Sequence, residues 1–396
     1  VKVLMVHNVY RQPGGEDRVF DAEVALLRSY GHDVVTWVEN NDQIQRPSPR
    51  LAATAVWSRR SSHRIRDVIR KERPEVVQLH NTFPLVSPAV YYAARAEGVP
   101  TVQTLHNYRL GCPAGVLFRD GHPCEDCLGR SFAWPGIIHG CYRDSRAATA
   151  AVASMVAIHR AIRTWNSVVD RYIAPTEFAR DKVLAAGLPP SRVRVKPNFL
   201  APDPGVRTGA GEYALFVGRL SSEKGVETLL AAWRADSSLP RLVMIGDGPL
   251  APRLTPGGGD RRVRWLTRCS RSAVLDRMGE ALVLVVPSTC YEACPLVVIE
   301  AFAVGLPVVA SDHGALVEMV EEGRTGWRFT PGDPQALAAA VHRAAADPAA
   351  RNGMRRAARA EYEAKYTAEI NYERLMAIYA EVRGAPRDSA TAAMGR

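Results

Sequence analysis

Glu292 and Glu300 stand eight positions apart in the stretch Val286-Pro287-Ser288-Thr289-Cys290-Tyr291-Glu292-Ala293-Cys294-Pro295-Leu296-Val297-Val298-Ile299-Glu300. On one continuous helix that spacing would separate them by roughly 12 Å along the axis, so they are not a helix-face pair. The apolar run Leu282 to Val286 reads as a buried strand, and Pro295 opens an apolar helix at the position where a missing amide donor costs nothing. Amides around Leu296 and Val297 then lack helical acceptors and point back into the loop, where backbone dipoles hold an anion such as a phosphate. With Glu292 in the loop and Glu300 inside the helix, two carboxylates could flank one ligand and accept bonds from vicinal hydroxyls. A phosphate between hydroxyl-bearing rings describes a nucleotide sugar. The plainer reading makes both residues solvated charges, but Glu300 sits among Val297, Val298, Ile299, Ala301 and Phe302, where an unpaired charge is costly.

Arg219 and Lys224 follow an apolar strand, with Gly218 and Gly225 beside them. Across a short loop they can converge on a diphosphate, the arginine as a fork and the lysine as a point charge. Two cations and a helix start would neutralise a departing diphosphate without a side-chain acid. An exposed basic turn is a plausible reading of either residue alone, and less so of both beside Gly218 and Gly225. Gly246-Asp247-Gly248-Pro249 fits a loose dinucleotide fingerprint, but it follows the second strand of its half, and Pro249 removes an amide that such a loop would offer. There is no phosphate-binding Gly-Lys-Ser/Thr, no Gly-x-Ser-x-Gly elbow and no His-Glu-x-x-His.

The acidic stretch, followed by Gly305-Leu306-Pro307-Val308-Val309-Ala310-Ser311, resembles the motif of retaining glycosyltransferases of family four, which have the two-domain GT-B fold. The order Gly218-Arg219-Leu220, Glu223-Lys224-Gly225, Gly246-Asp247-Gly248-Pro249 and then the acidic motif is also that family's. The resemblance implies two Rossmann-like doubly wound parallel-sheet domains facing a cleft. It implies that Glu292 approaches the donor sugar, that Glu300 holds the nucleotide ribose, and that the loop at Gly248 lies near the nucleotide. It implies that the Gly14-Gly15 loop abuts donor and acceptor, and that a histidine at the place of His106 faces the donor sugar. His7 and His80 also end strands, and either could take that role instead. The implied reaction moves a sugar from a nucleoside diphosphate sugar to an acceptor hydroxyl with retained configuration by front-face displacement, for which no metal cofactor is required. The alternatives are a nucleotide-sugar-binding module without transfer, or another GT-B enzyme of epimerase or phosphorylase type.

Both halves of the chain have the grammar such a fold needs. Strands are expected at Val3 to His7, Val34 to Val38, Val76 to His80 and Thr101 to His106, with a helix over Glu16 to Tyr30. After the Pro/Gly-rich segment 201–211 the pattern restarts at Ala214 to Val217, with strands at Leu242 to Ile245, Val263 to Leu266, Leu282 to Val286 and Pro307 to Ala310. The expected organisation is an acceptor domain over 1–200, a linker over 201–211 and a nucleotide-sugar domain over 212–365. A helix over 366–383 returns to the first domain and a disordered tail covers 384–396.

With 396 residues and 47% hydrophobic content the chain can build two ordinary domains. Val1 to His7 is too short for a signal-peptide core and Ala147 to Ile158 too short for a membrane span, so cytoplasmic residence is expected. Residues 1–200 hold 27 Lys plus Arg against 18 Asp plus Glu, so most of the net +10 lies there. No nucleic-acid-binding signature accompanies this charge, which favours a lipid-linked or anionic acceptor at the cytoplasmic membrane face. Arg59, Arg60, Arg64 and Arg66 are candidates for that contact, or else a solvated helix face. Lastly, the insertion from Gly111 to Tyr142 carries Cys112, Cys124, Cys127 and Cys141. The two-residue gap between Cys124 and Cys127 suits a shared metal, so four thiolates could close a structural zinc site, with His122 or His139 able to replace one; reduced cysteines are the alternative.

Overall fold

A computed structural model describes residues 1–11, 14–44, 46, 48–207, 209, 211–254, 261–267 and 269–384, with backbone alone at 253 and 254. They form two compact units. One comprises Val1–Val116, Glu125–Pro197 and the chain from Asn371 on; the other comprises Leu117–Cys124 and Asn198–Ile370. The tail expected over 384–396 lies outside the described residues from 385 on.

In the first unit, β1 (Lys2–Val9), β2 (Asp33–Asn40), β3 (Val76–Leu79) and β4 (Thr101–Thr104) are joined by β7 (Arg171–Ala174) and β8 (Val193–Val195). They form one sheet in the order β2-β1-β3-β4-β7-β8, every pair parallel. The short strands β5 (Phe118–Arg119) and β6 (His122–Pro123) make a separate antiparallel hairpin. Strands β3 and β4 are buried along their whole length, as parallel strands covered on both faces must be. On one face, Val3, Met5, Val76, Val102 and Ile173 pack against Phe20, Val24 and Leu27 of helix Gly15–Ser29. The same cluster holds Leu375, Ile378, Tyr379 and Val382 of the final helix, Ala368–Gly384, so from Asn371 on that helix belongs to the first unit.

The second unit repeats the plan with β9 (Tyr213–Val217), β10 (Arg241–Ile245), β11 (Val263–Leu266), β12 (Val283–Val286), β13 (Val308–Ser311) and β14 (Gly326–Phe329), in the order β11-β10-β9-β12-β13-β14. Side chains alternate between faces along each strand, which splits this core in two. Leu215, Val243, Ile245, Leu284 and Val286 pack with Val298, Ile299 and Phe302 on one face. Ala214, Phe216, Leu242, Met244, Val283 and Val285 pack with Leu229, Trp233 and Val341 on the other. Each Val, Leu, Ile, Phe or Met among them contributes about 1.5–3 kcal/mol when fully buried.

Five strands were not anticipated: the two-residue hairpin strands β5 and β6, and in the sheets β7, β8 and β14, which are only three or four residues long and each carry an arginine. Arg171 and Arg194 ion-pair with Glu381 of the final helix, so tertiary contacts neutralise charges that argue against a strand in the sequence alone.

Both sheets reverse their strand order once, between β1 and β3 in the first and between β9 and β12 in the second. At such a point the loops beyond the carboxyl ends diverge and open a crevice, where ligands of open α/β sheets bind. The loops after β9 and β12 carry Gly218–Gly225 and Pro287–Pro295. Those after β1 and β3 carry Gly14-Gly15 and His80, with His106 just past β4.

Candidate active site

In the second unit three loops are stitched together by backbone bonds. Leu220 N donates to Asp247 O at 2.9 Å, Leu250 N to Leu220 O at 2.9 Å, and Thr289 N to Glu223 O at 2.9 Å. Close approach of this kind needs glycine. A Cβ on Gly225, whose φ is +69°, would lie 1.8 Å from Pro287 O, and one on Gly248 would lie 2.4 Å from Leu220 O.

This stitching brings Lys224 and Glu292 together. Lys224 Nζ lies 2.6 Å from Glu292 Oε1, and the Ser288 hydroxyl donates to the same oxygen at 2.6 Å. Burial alone would raise the Glu292 carboxyl, but the Lys224 ammonium and the Ser288 hydroxyl hold it below its ordinary range. Burial alone would lower Lys224, and Glu292 holds it above. The pair therefore stays ionised from below the ordinary carboxylate range to above the ordinary lysine range. Arg219 is exposed at the edge of the same loop.

Pro295 is the N-cap of helix Leu296–Ala303 rather than its first residue, one position earlier than expected. Its ψ of 117° is extended, and the first amide bonded back to it is Val298 N to Pro295 O at 3.1 Å. The amides of Leu296 and Val297, the first two helical residues, thus precede the first bond back along the helix and have no intrahelical acceptor, as an anion site requires. Glu300, on the same helix, is only 4% exposed and lies 3.5 Å from Arg271 Nε through its Oε1.

The sequence reading missed Arg271 and His313. Arg271 starts helix Arg271–Glu280 after β11, a place where a basic residue in a carboxyl-end loop is the available signal. His313 follows β13, bonds Ser288 O through Nε2 at 2.8 Å, and packs its ring 5.6 Å from that of Tyr291. Burial lowers its proton affinity, against the pull of the Ser288 carbonyl.

In the first unit, Gly14 N-caps helix Gly15–Ser29, and its amide donates to Asp17 Oδ2 at 2.6 Å. The other oxygen of Asp17 lies 2.7 Å from His7 Nε2. The side chains of His7 and His80 have no exposed surface. His106 is half-buried and borders a cavity of about 60 Å³ with Asn81, Phe83, Gln103 and Asn107. His7 lies inside β1 and does not end it as expected, His80 and His106 come just past β3 and β4, and of the three it is His106 that lines this recess. Its Nε2 lies 2.9 Å from His80 Nδ1, and burial together with His80 keeps it well below the usual imidazole range, hence neutral.

The four cysteines of the insertion do not form the expected zinc site. Among the described residues no group of three or more His, Cys, Asp or Glu side chains could hold a metal ion. Cys112 is buried in a turn where its amide donates to Tyr108 O at 2.9 Å, and the Cys127 thiol lies 4.0 Å from Ala133 O. The Arg-dense stretch is likewise partly engaged: Arg64 of helix Arg59–Glu72 pairs with Glu39 at 2.7 Å and lies 5.2 Å over the Trp37 ring.

Comparison with known proteins agrees with this architecture. A family model described as Glycosyltransferase Family 4 matches residues 13–203, and one described as Glycosyl transferases group 1 matches residues 211–347. The chain is 32% identical over 307 residues to a glycogen synthase of Mycobacterium tuberculosis, a match covering 73% of this chain and 64% of that protein's length. It is 32% identical to an alpha-D-kanosaminyltransferase of Streptomyces kanamyceticus, over 42% of this chain and 45% of the relative. Among solved structures, a sucrose-phosphate synthase from Thermosynechococcus elongatus aligns with a TM-score of 0.71 at 18% identity, over 96% of this chain and 99% of the other. Anabaena HepE in complex with UDP-glucose aligns with a TM-score of 0.68 at 17% identity, with the same coverage. With two parallel-sheet Rossmann-like units the chain has the GT-B fold, and the family-model matches over both halves place it among the glycosyltransferases.

Proposed function

We propose that the chain transfers a sugar from a nucleoside diphosphate sugar to an acceptor hydroxyl with retention of anomeric configuration. The observation that carries this reading is the Lys224–Glu292 ion pair at the strand-order reversal, beside the open amides of helix Leu296–Ala303 and the buried Glu300. A structural relative, HepE, binds UDP-glucose, which makes a uridine diphosphate sugar the first donor to test. In the proposed reaction the anomeric carbon to diphosphate bond breaks with its electron pair on the diphosphate. Lys224, Arg219 and the helix amides take up that charge. The acceptor oxygen bonds the anomeric carbon from the same face, and its proton passes to the departing diphosphate oxygen. Glu292 orients the donor sugar, Glu300 accepts the ribose hydroxyls, and His106 bonds the transferred sugar.

The test is donor turnover, with and without acceptor, in wild type and in Glu292→Gln. A loss of about a hundredfold or more in turnover is expected, with nucleoside diphosphate affinity retained. Nucleotide binding without any transfer or hydrolysis in wild type would instead indicate a binding module.

We further propose that the acceptor is lipid-linked and met at an anionic membrane surface. No helix among the described residues is long and apolar enough to cross a membrane. Support comes from the short helix Trp134–His139, which leaves Trp134 49% and Ile138 53% exposed one turn apart. Arg130 lies 5.3 Å over the Trp134 ring, and Arg146 donates to Ile138 O at 3.0 Å. Aromatic and aliphatic tips ringed by arginines suit an interfacial contact with anionic headgroups. Co-sedimentation with phosphatidylglycerol vesicles at low salt should fall in the double variant Trp134→Ser/Ile138→Ser. Absence of wild-type binding removes the idea.

A further inference from the structure

Beneath His106 lies a buried chain of polar groups that the reaction scheme above leaves unused. Glu23, on helix Gly15–Ser29, has no exposed surface and is met by Lys196 Nζ at 2.6 Å on Oε1. Its Oε2 receives the Gln78 amide at 2.7 Å and lies 3.2 Å from His80 Nε2. Lys196, itself 2% exposed, also contacts Asn371 Oδ1 at 3.3 Å, so the final helix helps hold the cation. A buried carboxylate is tolerated only when paired and fully bonded, and here the lysine supplies the charge while amide and imidazole supply the donors.

We propose that Glu23, acting through His80, fixes the tautomer of His106 so that the ring offers its Nδ1 lone pair, and not an N–H, to the sugar hydroxyl. The inference rests on the proposed contact between His106 and the transferred sugar, and it follows from counting protons. A lone pair on His80 Nε2 would face the Glu23 carboxylate at 3.2 Å, so that nitrogen carries the hydrogen. Both hydrogens of the Gln78 amide have their own acceptors, Glu23 Oε2 at 2.7 Å and Thr104 Oγ1 at 3.2 Å. The contact of 3.1 Å between Gln78 Nε2 and His80 Nε2 is therefore two donors converging on one carboxylate oxygen. Gln78 cannot turn its amide over, because its Oε1 would then face the acceptor-only Glu23 carboxylate at 2.7 Å; as placed, Oε1 accepts from the Tyr379 hydroxyl. With Nε2 protonated, neutral His80 has a bare Nδ1, and His106 Nε2 at 2.9 Å must donate to it. His106 Nδ1 is left as the acceptor of its ring. Burial lowers the proton affinity of His80 even against the pull of Glu23, in keeping with a neutral ring.

An acceptor at this place selects its ligand. It takes a hydrogen from a sugar hydroxyl and gives nothing to an ether or acetal oxygen, so the relay favours donors bearing a free hydroxyl there over deoxy or alkylated ones. Glu23, His80 and Lys196 are thus positioning residues for a contact made by His106.

The experiment is long-range proton–nitrogen NMR of the full chain with ¹⁵N-labelled histidines, assigned with His106→Ala and His80→Phe. Expected is a His106 ring with hydrogen on Nε2 and a bare Nδ1 in wild type, and loss of that single tautomer in His80→Phe. In Glu23→Gln an amide can donate to His80 Nε2, so both rings should invert. Transfer kcat should fall at least about tenfold in His80→Phe while nucleoside diphosphate affinity stays constant, the scale known for partners that orient ligand histidines. A wild-type His106 with hydrogen on Nδ1, or an unchanged tautomer in His80→Phe, overturns the relay. These wild-type and His80→Phe readings need no Glu23 variant to fold. If the tautomers are as expected but His106→Ala transfers at the full rate, the sugar contact fails and the relay stands as a structural device.

Discussion

The two sheets reverse strand order in the same way, yet the sites at their carboxyl ends follow opposite electrostatic plans. In the second unit the charges sit on loops: Lys224 keeps 30% of its side-chain surface, and Arg219 is exposed. In the first unit the charges sit inside, with Glu23 and Lys196 at 0% and 1% side-chain exposure and a neutral His106 facing the recess. The difference shows what each plan permits. An ion pair near solvent can exchange its partner for a ligand, whereas a fully buried pair cannot dissociate without leaving an uncompensated charge. A site that must bind and release a diphosphate suits the first arrangement, and a site that must hold one hydrogen-bonding pattern constant suits the second.

The largest expected effect breaks the second unit's plan. Lys224→Ala removes a cation from the departing diphosphate and leaves the half-buried Glu292 without the Lys224 ammonium. Turnover should fall by roughly a hundredfold or more. Arg219→Ala, which disturbs no ion pair with Glu292, should also lower turnover but leave thermal stability within about 0.5 kcal/mol of wild type. Steady-state kinetics and thermal melts of the two variants check this, and equal loss of stability in both would contradict the asymmetry between them.

A smaller effect is expected at Glu300. Its replacement by Gln keeps one acceptor and loses the charge, so nucleoside diphosphate binding should weaken about tenfold, equivalent to about 1.4 kcal/mol. Calorimetric titration with uridine diphosphate measures it. An unchanged affinity would assign Glu300 to holding Arg271, its neighbour at 3.5 Å, and not the ribose.

What could be read in advance divides along the same lines. Glu292, Glu300 and the helix start are legible because proline, loop and apolar helix follow one another within fifteen residues, and local chemistry needs no tertiary information. The Lys224–Glu292 pair spans 68 positions and exists only because β9 and β12 are neighbours, an adjacency that no local pattern encodes. Glu23 looks like any charge on an amphipathic helix until the final helix and Lys196 close over it. The cysteine spacing taught the reverse lesson. A two-residue gap permits a shared metal, but whether four thiols converge is decided by the fold of the insertion, and among the described residues no group of three or more ligand side chains is placed to hold one.

The smallest effect sharpens the comparison from the first unit's rim, where one carboxyl departs from the plan of compensated charge. Glu16 lies in the first turn of helix Gly15–Ser29, and its Oε1 is buried without a hydrogen-bond partner. Burial, and then the neighbouring Asp17, push its proton affinity up to about 8, against the pull of Arg109 and Asn107. Arg109 gives only part of its charge to Glu16, because its guanidinium is 4.5 Å over the Phe83 ring and bonds Pro113 O at 3.2 Å and the Tyr10 hydroxyl at 3.2 Å. A carboxyl whose folded proton affinity exceeds its unfolded value stabilises the fold below the unfolded value, and that contribution is lost as pH rises through the folded one. Stability should therefore decline from about pH 4.5, the ordinary value, towards about 8. Glu16→Gln cannot ionise and escapes this decline, so its melting temperature relative to wild type should rise by a few degrees between about pH 5 and pH 9. Melts of both proteins across that range decide it. A constant difference would mean that Glu16 ionises normally, and that the first unit leaves no charge uncompensated.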